Sequence, residues 1–273
     1  LCANELDNMI RRIGSEHIAA FIAEPIIGAS GAAITPPQDY YKIIKEICER
    51  HQILFIADEV MTGFGRTGTM LACEQWGVEP DIVTLGKGMG AGYTPIAATL
   101  VGDHVMEPIV SGSKTIMGGH TLSANPQACA VSLAVIEYLE KNKIIPEVKK
   151  KGEYLKAKLL QLQKSFSFIG DIRGRGLMLG IEFVQNFVEK KPFPRAMKVT
   201  ESMISIAQHH GLLVYPAGAG SDGVNGDAVM IAPPLNITFK EMDDLIQRLQ
   251  ETLQQFTNFY LKEVELKLEG DEE

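Results

Sequence analysis

Three apolar runs near the start of the chain stop abruptly at charged residues. Ile18-Ala-Ala-Phe-Ile-Ala23 ends at Glu24-Pro25, Ile53-Leu-Phe-Ile-Ala57 at Asp58-Glu59, and Ile82-Val-Thr-Leu85 at Gly86-Lys87-Gly88. None alternates apolar with polar, which is the pattern of parallel strands buried on both faces. Between the first two, Gln38 to His51 carries Tyr40, Ile43, Ile44 and Ile47 at helical spacing after the start signal Pro36-Pro37. Ile96 to Val101 reads as a further strand. Alternating strands and helices of this kind predict a mostly parallel sheet with helices on both faces.

The pattern changes further along. Ser123 to Lys141 reads as a long helix, and Pro146 opens a more charged one to about Lys164. Gly170 to Phe183 reads as two short strands about a glycine-rich turn. A helix over Pro194 to His210, strands at Leu212–Tyr215 and Val229–Ala232, and a closing helix from Thr238 follow. These later strands look shorter and more mixed in polarity. The division expected is therefore a first domain over 1–145, a smaller α+β domain over 146–261, and a charged tail over 262–273 that is solvated or frayed.

Composition narrows the function classes. With 273 residues there is room for about two domains, and 45% apolar with 22% charged residues is ordinary for an α/β protein. A net charge of −8 argues against a nucleic-acid partner. No apolar stretch approaches the roughly 18 residues that would span a membrane. Cys2, Cys48, Cys73 and Cys129 show no CxxC spacing, so reduced thiols, a cytoplasmic location and no metal site are expected. The chain starts at Leu1, which reads as the middle of a longer protein.

Ligands of open α/β sheets sit beyond the carboxyl ends of the strands. Asp58 and Lys87 lie at two such ends, one anionic and one an amine among glycines 86, 88, 90 and 92. A lysine there, partly desolvated, would have a lowered pKa and act as a nucleophile. GKG alone fits a flexible surface loop as well. A P-loop fails because Asp81 stands where its first glycine would be. Asp58-Glu59 alone equally fits a metal-binding or nucleotide-hydrolysing carboxylate.

The strings Asp58-Glu-Val-Met-Thr-Gly-Phe-Gly-Arg-Thr-Gly68 and Pro80-Asp-Ile-Val-Thr-Leu-Gly-Lys-Gly88 resemble the signature of class III aminotransferases. The resemblance continues through Ile18–Pro25, Gly119–Pro126, Arg173–Met178 and Ala232–Leu235, in family order. It implies a partial large domain and a C-terminal small domain of the fold type I, pyridoxal 5′-phosphate (PLP)-dependent transferase fold. By resemblance, Lys87 forms the Schiff base with PLP and shuttles a proton, and Asp58 pairs with the pyridine nitrogen. Val60, two residues on, would point the same way as Asp58 and pack on the ring; plain core packing is its other reading. Thr121 matches the threonine that reaches the phosphate of a neighbouring subunit, implying a homodimer with shared sites. A helix N-terminal hydroxyl is its alternative.

The substrate side departs from the family's dual-recognition pattern. An arginine before Pro-Pro and a glutamate after Glu-Pro are replaced by Met230 and Ala29. An unpaired member of that couple would be costly in a dry pocket, so their joint absence is consistent. The resemblance then implies an amine or ω-amino acid as donor and a 2-oxo acid, pyruvate favoured, as acceptor. Arg173 is the candidate for a substrate carboxylate, an ion pair to Glu182 or Asp171 being the structural alternative. Tyr215 stands where some amine transaminases carry a mobile arginine; Arg66 reads as a loop anchor, His120 as lining a subunit boundary, and His17, His51, His104, His209 and His210 as surface residues. Decarboxylation, racemisation or an aminomutase reaction would use the same Asp58 and Lys87, and a non-catalytic fragment remains a third reading.

Overall fold

A computed structural model describes residues 2–218 and 224–270, with side chains to residue 258. It divides into two compact units, 1–26 with 35–149, and 27–34 with 150–273.

The first unit opens with helix α1 (Asn4–Ile13), strand β1 (Ala20–Ala23) and helix α2 (Tyr40–His51). Strands β2 (Leu54–Asp58), β3 (Ile82–Leu85) and β4 (Ala98–Val101) complete a sheet of order β1-β2-β3-β4. β1, β2 and β3 run parallel, and β4 returns antiparallel to β3. The sheet is thus mostly parallel, as expected. Helices α3 (Asp103–Ser111) and α4 (Pro126–Lys141) follow, and α5 (Ile144–Ser165) runs through the boundary. α1 and α3 have no counterpart in the sequence reading.

Burial in this sheet corrects one expectation. Phe55, Ala57, Val83 and Leu85 are buried, whereas Leu54, Ile56, Asp58, Ile82 and Thr84 on the other face are half-buried. The cause is one-sided cover. Tyr41 of α2 stacks on Phe55 at 5.8 Å and meets Trp76 edge-on at 5.4 Å, closing one face only. α2 itself buries Tyr41, Ile44, Ile47 and Cys48, one helical stripe, and stops at Gln52 in the left-handed conformation.

The second unit carries an antiparallel sheet of order β5-β6-β8-β7, from β5 (Ile169–Arg175), β6 (Met178–Phe183), β7 (Tyr215–Gly218) and β8 (Asp227–Ile231). Helices α6 (Val199–His209) and α7 (Phe239–Gly270) complete it. β5 and β6, at 7 and 6 residues, are longer than any strand of the first sheet, contrary to expectation. β6 is central and nearly all buried, because its neighbours pair on both sides and a phenylalanine cluster closes on it: Phe168 lies 6.2 Å from Phe183 and 5.3 Å from Phe256. The strand expected at Leu212–Tyr215 is shifted to Tyr215–Gly218, where pairing to β8 fixes it. α7 continues through most of the expected tail, to Gly270; residues 271–273 of that tail lie outside the described residues. Among the described residues no helix is long and apolar enough to cross a membrane.

Candidate active site

Register brings two expected residues to neighbouring strand ends. Asp58, the last residue of β2, lies opposite Thr84 of β3, and Lys87 follows three positions further along that chain. Three extended residues span roughly 10 Å, so the two side chains flank one small region.

The Asp58 carboxylate is oriented from both sides. Its Oδ1 accepts from the Val60 amide at 3.1 Å and from the Thr84 hydroxyl at 3.2 Å. Oδ2 has no hydrogen-bond partner among the described residues. Val60 does not continue the strand, so alternation does not govern it; the chain turns after Asp58. Val60 still lies beside Gly86, where an added Cβ would be 3.4 Å from its Cγ1.

Lys87 opens a single 3-10 turn, Lys87–Met89, with φ of 38°. A non-glycine residue at positive φ is uncommon and strained, and such strain concentrates at functional sites. The Ser132 hydroxyl of α4 donates to the Met89 carbonyl at 2.9 Å and supports the turn. The expected desolvation is absent: Lys87 is exposed, and its side chain has no hydrogen-bond or ion-pair partner among the described residues.

Glu59 is the site residue that the sequence reading left without a role. Its side chain is fully buried, accepts from the Thr62 hydroxyl, and accepts from the Cys73 amide at 2.8 Å. It therefore closes the 59–73 loop beside Asp58. Burial and the Glu59 carboxylate push the Cys73 thiol well above its usual range. Burial also lowers the Arg66 guanidinium, in the same loop, to about 10.

Thr121 lies in an exposed turn, and no hydrogen bond joins it to Asp58 or Lys87. It is not the cap of α4. That cap is Asn125, whose Oδ1 accepts from the Ala128 amide at 3.0 Å. His120 is exposed. His51 is half-buried against Asp7 at 2.6 Å, whereas His104 is exposed, as expected, and faces Asp81 at 3.0 Å.

Arg173, in the second unit, is held by protein. Its Nε donates to the carbonyls of Gly31 at 3.1 Å and Ala32 at 3.0 Å, and Nη2 to Gly31 at 2.8 Å. Nη1 pairs with Asp171 at 3.1 Å and with Glu182. A substrate carboxylate would have to displace one of these acids. Met230 is buried on β8, and Ala29 is half-buried in the 27–34 loop. Tyr215 is exposed at the start of β7.

A carboxylate set by two donors with a second oxygen available, and an amine at the adjacent strand end, fit a cofactor with a cationic ring nitrogen and an aldehyde. The sequence profile of the family "Aminotransferase class-III" matches residues 1–253. The chain belongs to the class III aminotransferase family, whose members use PLP on the fold type I scaffold. It is 53% identical over 251 residues to the uncharacterized aminotransferase YodT of Bacillus subtilis (strain 168), covering 92% of this chain and 56% of that protein. It is 41% identical to gamma aminobutyrate transaminase 2 of Solanum lycopersicum, covering 89% of this chain and 52% of that one. An amine transaminase crystal structure from an uncultivated Pseudomonas species, in a PLP-bound form, superposes with a TM-score of 0.86 at 37% identity, covering 93% of this chain and 56% of that one. The chain thus spans about half the length of the relatives it matches.

Proposed function

We propose that this chain belongs to a PLP-dependent transaminase that moves an amino group from an amine or ω-amino acid to a 2-oxo acid, with pyruvate as the favoured acceptor. The observation that carries the reading is the pairing of an oriented Asp58 carboxylate with Lys87 at the next parallel strand end. When bound, PLP supplies an electron-withdrawing ring that stabilises negative charge on the substrate carbon. Asp58, through Oδ2, would hold the proton on the ring nitrogen, with Thr84 and the Val60 amide fixing the direction of its carboxylate. Lys87 Nζ would hold the cofactor at its aldehyde carbon, and its free amine would be the group that moves a proton at the substrate carbon. Val60, beside Gly86, would pack against the ring. Exposure of Lys87 fits a group whose surroundings are completed by the ligand and by other parts of the protein.

The first unit, 1–26 with 35–149, would then be the PLP-binding part and the second, 27–34 with 150–273, the small domain. Thr121, exposed and unbonded, is assigned to the phosphate of a partner subunit in a cytoplasmic homodimer. Met230 and Ala29 in place of a charged couple support an acceptor that carries no second carboxylate.

The test is spectroscopic. Adding PLP to the intact protein should produce a visible absorbance band that Lys87→Ala abolishes, and half-reactions should turn over faster with pyruvate than with 2-oxoglutarate. A band that survives Lys87→Ala, or no band at all, would overturn the catalytic assignment. Preference for 2-oxoglutarate would overturn the acceptor.

A further inference from the structure

Lys87 leaves the end of β3 in an uncommon direction. Its φ of 38° lies in the left-handed region, whereas the ordinary helical value is about −63°. The Cβ atom turns with φ about the N–Cα bond, so relaxing to that value would swing the Lys87 side chain by about 100°. A left-handed residue other than glycine persists only where its surroundings impose it. Whatever holds this turn therefore also sets where the amine can reach.

The turn first bonds within itself. The Met89 amide donates to the Gly86 carbonyl at 2.9 Å, the Gly90 amide to Lys87 at 3.1 Å, and the Ala91 amide to Gly88 at 3.2 Å. These bonds shape the turn but do not anchor it. The next carbonyl, that of Met89, accepts from outside, from the Ser132 hydroxyl at 2.9 Å. Ser132 lies two turns into α4 and is 3% exposed; with Leu139 it is one of the two residues that this helix buries. A serine inside a helix ordinarily faces solvent or returns its hydroxyl to the carbonyl four residues back. Here the hydroxyl reaches a carbonyl 43 positions away, at the Lys87 turn. Both partners belong to the first unit.

We propose that Ser132 is a positioning residue for Lys87: by holding the Met89 carbonyl, its hydroxyl keeps the turn at the strained φ that directs the lysine side chain. The inference rests on the transaminase reading for the chemistry that Lys87 performs. Ser132 acts through the backbone and does not touch the reacting atoms. Alanine is close to serine in size but has no donor, so Ser132→Ala removes the bond without opening a cavity.

The experiment compares wild type with Ser132→Ala, Ser132→Cys and Leu139→Ala in the intact protein. It reads amide exchange at Met89, Gly90 and Ala91, and the rate at which the visible band forms when PLP is returned to protein stripped of it. It also reads steady-state kinetics with 1-phenylethylamine and pyruvate, including the isotope effect on kcat for the donor deuterated at carbon 1. Ser132→Ala should raise that exchange about tenfold and slow band formation about fivefold or more. It should lower kcat about tenfold with KM within about twofold, and enlarge the isotope effect, because a misdirected amine makes the proton step limiting. Ser132→Cys, whose thiol is a weak donor, should fall between. Leu139→Ala loosens the same helix through a cavity; it should lower the melting temperature yet leave band formation and isotope effect as in wild type.

Unchanged exchange at the three amides overturns the brace. Raised exchange with unaltered band formation and isotope effect overturns the positioning role, and so does the same chemical change in Leu139→Ala. If the band forms but the donor is not consumed, the substrate assignment fails and the rate of band formation decides. If the wild type forms no band, the transaminase reading fails, and the exchange result still decides whether Ser132 holds the turn.

Discussion

Replacing Asp81 with asparagine tests whether the sheet that presents Asp58 and Lys87 depends on one buried charge at its base. Asp81 immediately precedes β3. Its Oδ2 accepts from the Phe55 amide of β2 at 2.6 Å, and Oδ1 accepts from Lys45 of α2 at 2.8 Å and faces His104 of α3 at 3.0 Å. Burial pushes this carboxyl up, but Lys45, the Phe55 amide and His104 together hold it below its ordinary value. Asparagine keeps an acceptor for Phe55, so the loss there is the difference between a charge-assisted and a neutral bond, about 1 kcal/mol. The Lys45 side chain, only 18% exposed, loses its close partner and costs about 1–2 kcal/mol more. His104, at 63% exposed, contributes close to nothing. The sum is about 2–3 kcal/mol, or about 1 M in urea midpoint for a slope of about 2–3 kcal/mol/M. Because the folded pKa is depressed, the stabilisation is complete above the unfolded value near 3.9 and is lost as pH falls through the folded value. The variant should therefore be weaker at pH 7, and its deficit should shrink as pH falls below the unfolded value. Trp76, the single tryptophan, packs on Tyr41 in this unit, so its fluorescence during urea unfolding reports the transition that matters. A variant within about 0.5 kcal/mol of wild type at pH 7, or a deficit that persists unchanged at pH 3, refutes the reasoning.

Two further substitutions probe the loops around the site. Glu59→Gln should cost under about 1.5 kcal/mol, because its carbonyl can accept from Cys73 and its amide can donate to a reoriented Thr62 hydroxyl, while Glu59→Ala should cost about 3 kcal/mol or more by stranding the Cys73 amide and opening a cavity. Thermal unfolding of the pair checks this, and equal losses would mean that the buried charge itself is what matters. Gly180→Ala drives a Cβ into the Ala32 backbone and should cost about 2–4 kcal/mol, whereas Gly119→Ala meets nothing within 4 Å and should stay within about 0.5 kcal/mol. Indistinguishable melting temperatures for the two would refute the close approach.

What the sequence disclosed follows from what sequence can encode. Asp58 and Lys87 were legible because a strand end is marked by where an apolar run stops, and register then needs only parallel pairing. The stripe of α2 was legible in part for the same reason, since periodicity records which side is buried: Ile44 and Ile47 are buried, while Tyr40 and Ile43 are half-buried. Arg173 was legible in part: the ion pair to Glu182 or Asp171 that stood as its structural alternative is present to both acids, whereas its bonds to the Gly31 and Ala32 carbonyls, 142 and 141 positions away, were not, because a main-chain acceptor leaves no mark on residue type. Glu59 was missed beside a more conspicuous acid; a second carboxylate directly after a strand end was the only signal. One-sided burial of the first sheet escaped because a run of isoleucine and valine reads alike whether one face or both are covered. α1 was missed although Leu6, Met9, Ile10 and Ile13 stand at helical spacing; of these only Ile10 is buried, with Met9 and Ile13 exposed.

Backbone strain joins the two strand ends more firmly than their side chains do. After β2 the chain turns through Phe64 at φ 54°, and after β3 through Lys87 at 38° and Ala91 at 47°. These turns touch: a Cβ on Gly88 would lie 3.1 Å from Phe64 Cβ, and one on Gly63 would lie 3.3 Å from a Leu85 methyl and 2.8 Å from the Glu59 carbonyl oxygen. Each left-handed non-glycine residue costs roughly 1 kcal/mol or more. Glu59, by tying Thr62 and Cys73 into one loop, supplies bonds that offset that cost on the β2 side, and Ser132 does so on the β3 side. Two strained turns, each braced from outside and packed against the other, hold the Lys87 backbone at a set place relative to Asp58. The long lysine side chain can then move while its root stays fixed, which is what the role proposed for Lys87, binding a carbon and returning a proton, would require.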